Sequence, residues 1–116
     1  LGEIERSGIE LRRLHVLRAE NTVLLNDMAF TLTPSAMETL AALAEARLDG
    51  EWLTGAELES VISGKPVSEA DEASGATRIK RLRDGLGNQL VAEILVKNTT
   101  RKGYSLAVPA ERLRMD

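Results

Sequence analysis

Hydrophobic positions in the first part of the chain alternate instead of recurring at helical spacing: Ile9 and Leu11, Leu14 and Val16, Val23 and Leu25, then Met28, Phe30 and Leu32. A period of two sends successive side chains to opposite faces, so the segment predicts half-buried strands. Glu20-Asn21 and Asn26-Asp27 are turn-prone and divide residues 9–32 into a short antiparallel meander of two or three strands. At Thr33-Pro34 the period changes. Thr33 can cap a helix and Pro34 suits the first helical position, where its missing N–H costs nothing. Met37, Leu40, Leu43, Ala44 and Leu48 then recur at spacings of three and four, one apolar stripe that ends before Gly50.

A second helix opens at Thr54, which has the capping-box spacing to Glu57; Leu58, Val61 and Ile62 are its predicted buried face. The acidic, small-residue stretch of residues 64–74 predicts a loop, in which Ser68 and Asp71 are spaced to cap one extra helical turn. From Gly75 a third helix buries Ile79, Leu82, Leu86 and, beyond them, Leu90, while Arg78, Lys80, Arg81 and Arg83 crowd the rest of its surface. Gly87 suits a left-handed cap, and Gly85, about 1 kcal/mol worse than Ala in a helix, weakens the last turn. Period two then returns. Ile94 and Val96 form one arm and Tyr104, Leu106 and Val108 the other, joined across Lys97 to Lys102 as a hairpin with a basic tip.

The order is strands, three helices, hairpin, with no internal repeat. It predicts an α+β fold in one domain, residues 1–116: strands over 9–32, three helices over 33–90 and a hairpin over 93–108.

The net charge of −3 argues against a general nucleic-acid binder until its distribution is considered. Residues 1–74 carry six basic and fourteen acidic side chains, whereas residues 75–116 carry nine basic and four acidic. Such a split fits a domain with one nucleic-acid-facing surface, and equally a solvated basic helix. The absence of cysteine removes disulfides, thiolate metal sites and nucleophilic thiols and suits a reducing cytoplasm. No apolar run approaches the roughly 20 residues of a membrane span, and no signal-peptide pattern opens the chain, so a cytoplasmic protein without membrane contact is expected. The chain begins at Leu1 rather than Met, as a piece of a longer protein with a sensor or receiver half would.

Four phrases then stand in order: Leu32-Thr33-Pro34, Leu53-Thr54-Gly55-Ala56-Glu57-Leu58, Ile79-Lys80-Arg81-Leu82-Arg83-Asp84-Gly85-Leu86, and Thr100-Arg101-Lys102-Gly103-Tyr104-Ser105-Leu106. Together, over roughly residues 22–108, they resemble the winged helix-turn-helix effector domain of OmpR/PhoB-type response regulators, the DNA-binding output of two-component systems. The resemblance implies a three-helix core whose third helix lies in the major groove and whose hairpin wing reaches the neighbouring minor groove or backbone. By position it assigns Arg78, Lys80, Arg81 and Arg83 to the DNA-facing helix and Arg101 and Lys102 to the wing. It further implies a transcriptional regulator, a dimer on DNA, and contact with RNA polymerase through the 64–74 loop. Asp84 and Gly85 depart from the family, which usually has basic or helix-favouring residues there.

Other chemistry is poorly represented. His15 has no Cys, His or carboxylate at ligand spacing, so no metal is expected. Gly85-Leu86-Gly87 lacks the lysine of a P-loop, and Glu57, Glu59, Asp71 and Glu72 have no converging base or nucleophile, so neither a cofactor nor an enzyme is expected. Asn98-Thr99-Thr100 fits a glycosylation pattern that an unexported protein never presents to the machinery. Tyr104 is expected to pack at the wing base and Trp52 in the core. The rival to DNA binding is a winged-helix protein-interaction module of a larger protein, its acidic first two-thirds suited to a basic partner.

Overall fold

The computed structural model describes residues 13–26, 28–86, 95–97 and 103–116, the second of the latter short segments in full and 95–97 by backbone alone. Expectations at Ile9, Leu11, Asp27, Gly87, Leu90, Ile94, Asn98, Arg101 and Lys102 lie outside the described residues.

Strands β1 (Leu14–Leu17), β2 (Thr22–Leu25) and β3 (Met28–Thr31) form the meander. Its turns sit where the asparagines stand: Asn21 (φ 52) and Asn26 (φ 56) take the left-handed conformation that Asn tolerates better than other side chains. Asn26 also accepts from the Arg13 N–H with its side chain at 2.9 Å and donates its own N–H to the Arg13 carbonyl at 2.8 Å, which extends the β1–β2 pairing by one position. Register follows burial: Leu14 opposes Leu25, Val16 opposes Val23, and all four are buried.

The sheet has a fourth strand that the alternation did not announce. β6, Leu113–Met115, pairs parallel to β1, giving the order β3-β2-β1-β6. Three residues are too few to show a period, yet Leu113 is buried in the core and the Asp116 N–H reaches the Val16 carbonyl at 3.0 Å. The expected antiparallel sheet is therefore mixed.

Helix α1 (Pro34–Leu48) starts as its sequence requires: the Thr33 hydroxyl accepts from the Ala36 N–H, and Pro34 follows. It ends in a Schellman arrangement, with Glu51 N–H on Ala46 O, Gly50 N–H on Arg47 O, and Gly50 at φ 73. Buried residues exceed one stripe. Ala36, Met37, Thr39, Leu40, Ala41, Ala42, Leu43 and Ala44 are all covered, because helices and strands of both sheets press on α1 and its alanines let them approach. Leu48, expected in the stripe, is instead 45% exposed at the helix's last position.

Helix α2 (Gly55–Ser63) buries Leu58 fully and Ile62 partly, but Val61 is 57% exposed. Gly64, left-handed at φ 81, ends it. A single 3-10 turn, Val67–Glu69, follows, and α3 (Glu72–Leu86) begins three residues before the expected Gly75. Asp71 starts it, accepting from the Ala73 N–H and the Ser74 hydroxyl, both at 3.2 Å. Ile79, Leu82 and Leu86 join Leu40 and Leu58 in one core cluster, as the periodicity predicts.

β4 (Leu95–Lys97) and β5 (Tyr104–Leu106) form the hairpin. Leu53 adds a third lane by exchanging backbone hydrogen bonds with Tyr104 at 3.0 and 2.7 Å, which ties the wing to the entrance of α2. Gly103 permits this approach, since at φ 95 a side chain would strike the Leu53 carbonyl. Tyr104 is buried at the wing base, and the Arg47 side chain anchors the strand's exit by donating to the Val108 carbonyl at 3.0 Å. Trp52 is half-buried outside the core cluster, a correction to its expected place.

Candidate nucleic-acid interface

Helices α2 and α3 are locked together near their N-terminal ends. The Gly55 carbonyl lies against Gly75 so closely that no side chain fits at position 75, and one at position 55 would meet Glu72. Glu72 also places its carboxylate on the open end of α2, accepting from the N–H groups of Gly55 (2.9 Å) and Ala56 (3.0 Å). The Glu57 N–H is taken by the Thr54 hydroxyl at 3.1 Å, and the Glu57 carboxylate returns to the Thr54 N–H at 2.9 Å. All three leading N–H groups of α2 thus end on side chains, two of them on a charge that the helix dipole favours.

Further along, Arg78 grips Glu59 through two hydrogen bonds, Nε to Oε1 at 2.7 Å and Nη2 to Oε2 at 3.3 Å. Both side chains are largely covered, at 24% and 13% exposure. The bond from Arg78 holds the Glu59 carboxyl below its ordinary pKa, helped by the charges of Arg78 and Lys65 and a bond from Ser63 and opposed by desolvation. The same bond raises Arg78. Arg78, grouped from sequence with the DNA-facing residues, braces α2 against α3 through two of its five N–H donors.

The remaining basic residues of α3 are different. Lys80, Arg81 and Arg83 are exposed, and none forms an ion pair with a described residue. Gly75, Ile79, Leu82 and Leu86 define the inward side. At about 100° per residue the outward line then runs through Ala73, Thr77 and Asp84, with Lys80 on one side, Arg81 on the other, and Arg83 out on the flank. Thr77 and Asp84 are residues that counting cations along the sequence missed; their seven-residue spacing opposite the stripe was the available signal. Thr77 donates its hydroxyl back to the Ala73 carbonyl at 3.0 Å, which turns it inward to the backbone. Arg101 and Lys102, at the wing tip, lie outside the described residues.

The acids of the 64–74 loop also separate. Asp71 caps α3 and Glu72 caps α2, which leaves Glu69 exposed and unengaged by described side chains. Among the described residues no group of three or more His, Cys, Asp or Glu is placed to hold a metal ion. His15 does gain a carboxylate neighbour the sequence spacing could not show: Asp116, 101 positions on, at 2.7 Å. No described helix is long and apolar enough to cross a membrane.

No protein-family model matches the chain, and no curated protein does. Among solved structures it is similar to the DNA-binding domain of E. coli CadC, with a TM-score of 0.61 at 20% identity over 86% of this chain and 95% of that one. This chain has the winged-helix fold. Among the described residues, the four-stranded sheet, helices α1, α2 and α3 and the β4–β5 wing are its parts, and α2 with α3 is its helix-turn-helix. At that identity the likeness carries architecture and not contacts, so what the winged helix binds rests on its own surface.

Proposed function

We propose that this winged helix binds duplex DNA sequence-specifically, as the effector domain of a bacterial transcriptional regulator of the response-regulator kind. α3 would enter the major groove, and the β4–β5 wing, with Arg101 and Lys102, would meet the neighbouring backbone or minor groove. One observation carries the reading: Lys80, Arg81 and Arg83 stand exposed and without described partners on a helix otherwise braced by Gly55, Glu72 and the Glu59–Arg78 pair. Exposed cations on a braced helix gain by releasing the counterions condensed on DNA as they contact phosphates, and arginine can bond guanine with two parallel donors. A described neighbour in the DNA-binding domain of CadC supports the same reading. DNA binding in turn favours a cytoplasmic location and allows two copies on adjacent half-sites.

Mobility shift on random-sequence duplex at low salt tests it. Retention that falls steeply with salt, and falls further in Lys80→Ala, Arg81→Ala and Arg83→Ala, is expected. No retention at low salt rejects the proposal.

A protein-docking role has an observation of its own, since Val67, two residues before the exposed acid Glu69, is itself more than half exposed. Contact with RNA polymerase through the 64–74 loop would use Val67 and Glu69, because Asp71 and Glu72 are committed to helix caps.

A further inference from the structure

Asp84 occupies the middle of the outward side of α3, on the line of Thr77 and between Lys80 and Arg81, fully opposed to the buried Ile79, Leu82 and Leu86. Lys80 and Arg81 precede it by four and three residues, a spacing at which opposite charges pair readily, yet no ion pair joins them. The position has two costs. In the last turn of a helix a carboxylate faces the negative end of the macrodipole, and against a duplex it repels phosphate. Neither helix stability nor non-directional attraction accounts for an acid there.

Its hydrogen-bonding chemistry fits one base edge. A carboxylate only accepts, so in the major groove it is repelled by guanine N7 and O6 and by thymine O4. Adenine offers an amino donor, but its N7 acceptor lies beside it. Cytosine presents the N4 amino group and no acceptor of its own on that edge, the nearest being the O6 of the paired guanine. Arg81 lies one turn away, about 5–6 Å between β-carbons, which spans one to two base-pair steps of about 3.4 Å.

Resting on the reading of α3 as the groove helix, we infer that Asp84 is a specificity-determining residue: it accepts from the N4 amino group of a cytosine within one or two base pairs of a guanine read by Arg81. The acid lowers affinity for duplex in general and restores it where that cytosine stands.

Sequence selection from a random duplex pool, followed by titration of each selected site and its single-base variants, tests the assignment with wild type, Asp84→Ala and Asp84→Asn. Circular dichroism checks that each variant is folded, which exposure of Asp84 predicts. Wild type should select a motif with one cytosine position worth about 5- to 150-fold against other bases. Asp84→Ala should lose preference at that position alone, keep the neighbouring guanine, and bind random duplex more tightly than wild type. Asp84→Asn should move the preference from cytosine toward adenine, whose N6 and N7 match a carboxamide. A wild-type motif without such a cytosine, an unchanged motif in Asp84→Ala, or loss of preference at every position overturns the role of Asp84 while the DNA reading stands. Failure of wild type to bind any duplex removes the DNA reading and this inference with it.

Discussion

The backbone carbonyl of Gly55 in α2 fills the space that a side chain on Gly75 of α3 would need. Relief would require one helix backbone to move, because the obstruction is not the flexible end of a side chain. Gly75→Ala should therefore destabilise the domain by about 1–3 kcal/mol, the usual range for forcing extra volume into a packed contact. A lower urea midpoint at unchanged slope is the expected result. An unshifted midpoint would mean that α2 and α3 do not touch there.

Ten residues along the same helix, Gly85 should respond in the opposite sense. It is exposed, and an added Cβ would meet only Ala36 Cβ and Leu32 Cδ2 at 4.0 Å, ordinary contact distance. Gly85→Ala should stabilise the domain by up to about 1 kcal/mol through helix propensity. Thermal unfolding should show a midpoint several degrees higher.

The Glu59–Arg78 brace sets an acid limit on stability. Glu59 has its folded pKa lowered by the Arg78 bond, below the unfolded value of about 4.3. Its contribution is consequently full above that value and disappears as pH falls through the folded pKa, where the carboxyl protonates. Exposed pairs are worth about 0–1 kcal/mol and breaking buried ones costs about 3–5, so Glu59→Gln, at a mostly covered site, should cost about 1–2 kcal/mol at pH 7. Below pH 4 the difference between variant and wild type should shrink. A difference constant from pH 7 to pH 3 would show that Glu59 contributes through packing and not charge.

Glu69, Asp71 and Glu72, the acids at the entrance to α3, should behave unequally. Glu69 is exposed and caps nothing described, whereas Asp71 and Glu72 take N–H groups of α3 and α2. Asp71→Ala and Glu72→Ala should each cost about 0.5–2 kcal/mol, the range for a lost cap, and Glu69→Ala should be near neutral. Measured melting temperatures in that order support the assignment; equal losses would reject it. The same unevenness means that only Glu69→Ala can probe a partner contact without weakening the fold.

Local signals were legible in the sequence, and non-local ones were not. Thr33-Pro34, the Thr54–Glu57 box and the stripe of Ile79, Leu82 and Leu86 lie within a turn or two of chain, and each appears as its residue types require. Periodicity also gave a face to Leu58, Val61 and Ile62, but a pattern names a face without saying how far the neighbouring elements cover it. Val61 is left exposed for that reason. The partners that define the interface are separated by many residues: Glu72 from Gly55 by 17, Arg78 from Glu59 by 19. No spacing rule reaches them, so Arg78 looked as free as Arg81. β6 was hidden because its three residues pair with β1 from the far end of the chain.

The exposed cations of α3 should divide by role. Arg81 lies beside the outward line of Thr77 and Asp84, close enough to the helix's leading side to reach base edges, whereas Arg83 projects from the flank toward the core side and suits a phosphate. Lys80, on the other side of the outward line, carries a compact charge better matched to phosphate than to bidentate readout. Arg81→Ala should cost about 1–3 kcal/mol on a selected site and little on scrambled duplex. Lys80→Ala with Arg83→Ala should weaken both duplexes alike and lower the slope of log affinity against log salt by up to about two phosphate contacts. Titration of the two variants against selected and scrambled duplexes at several salt concentrations separates the effects, and each variant's melting curve shows that the winged helix is intact. Equal loss on both duplexes for Arg81→Ala would place Arg81 on the backbone, and an unchanged salt slope in the double variant would take Lys80 and Arg83 out of the interface.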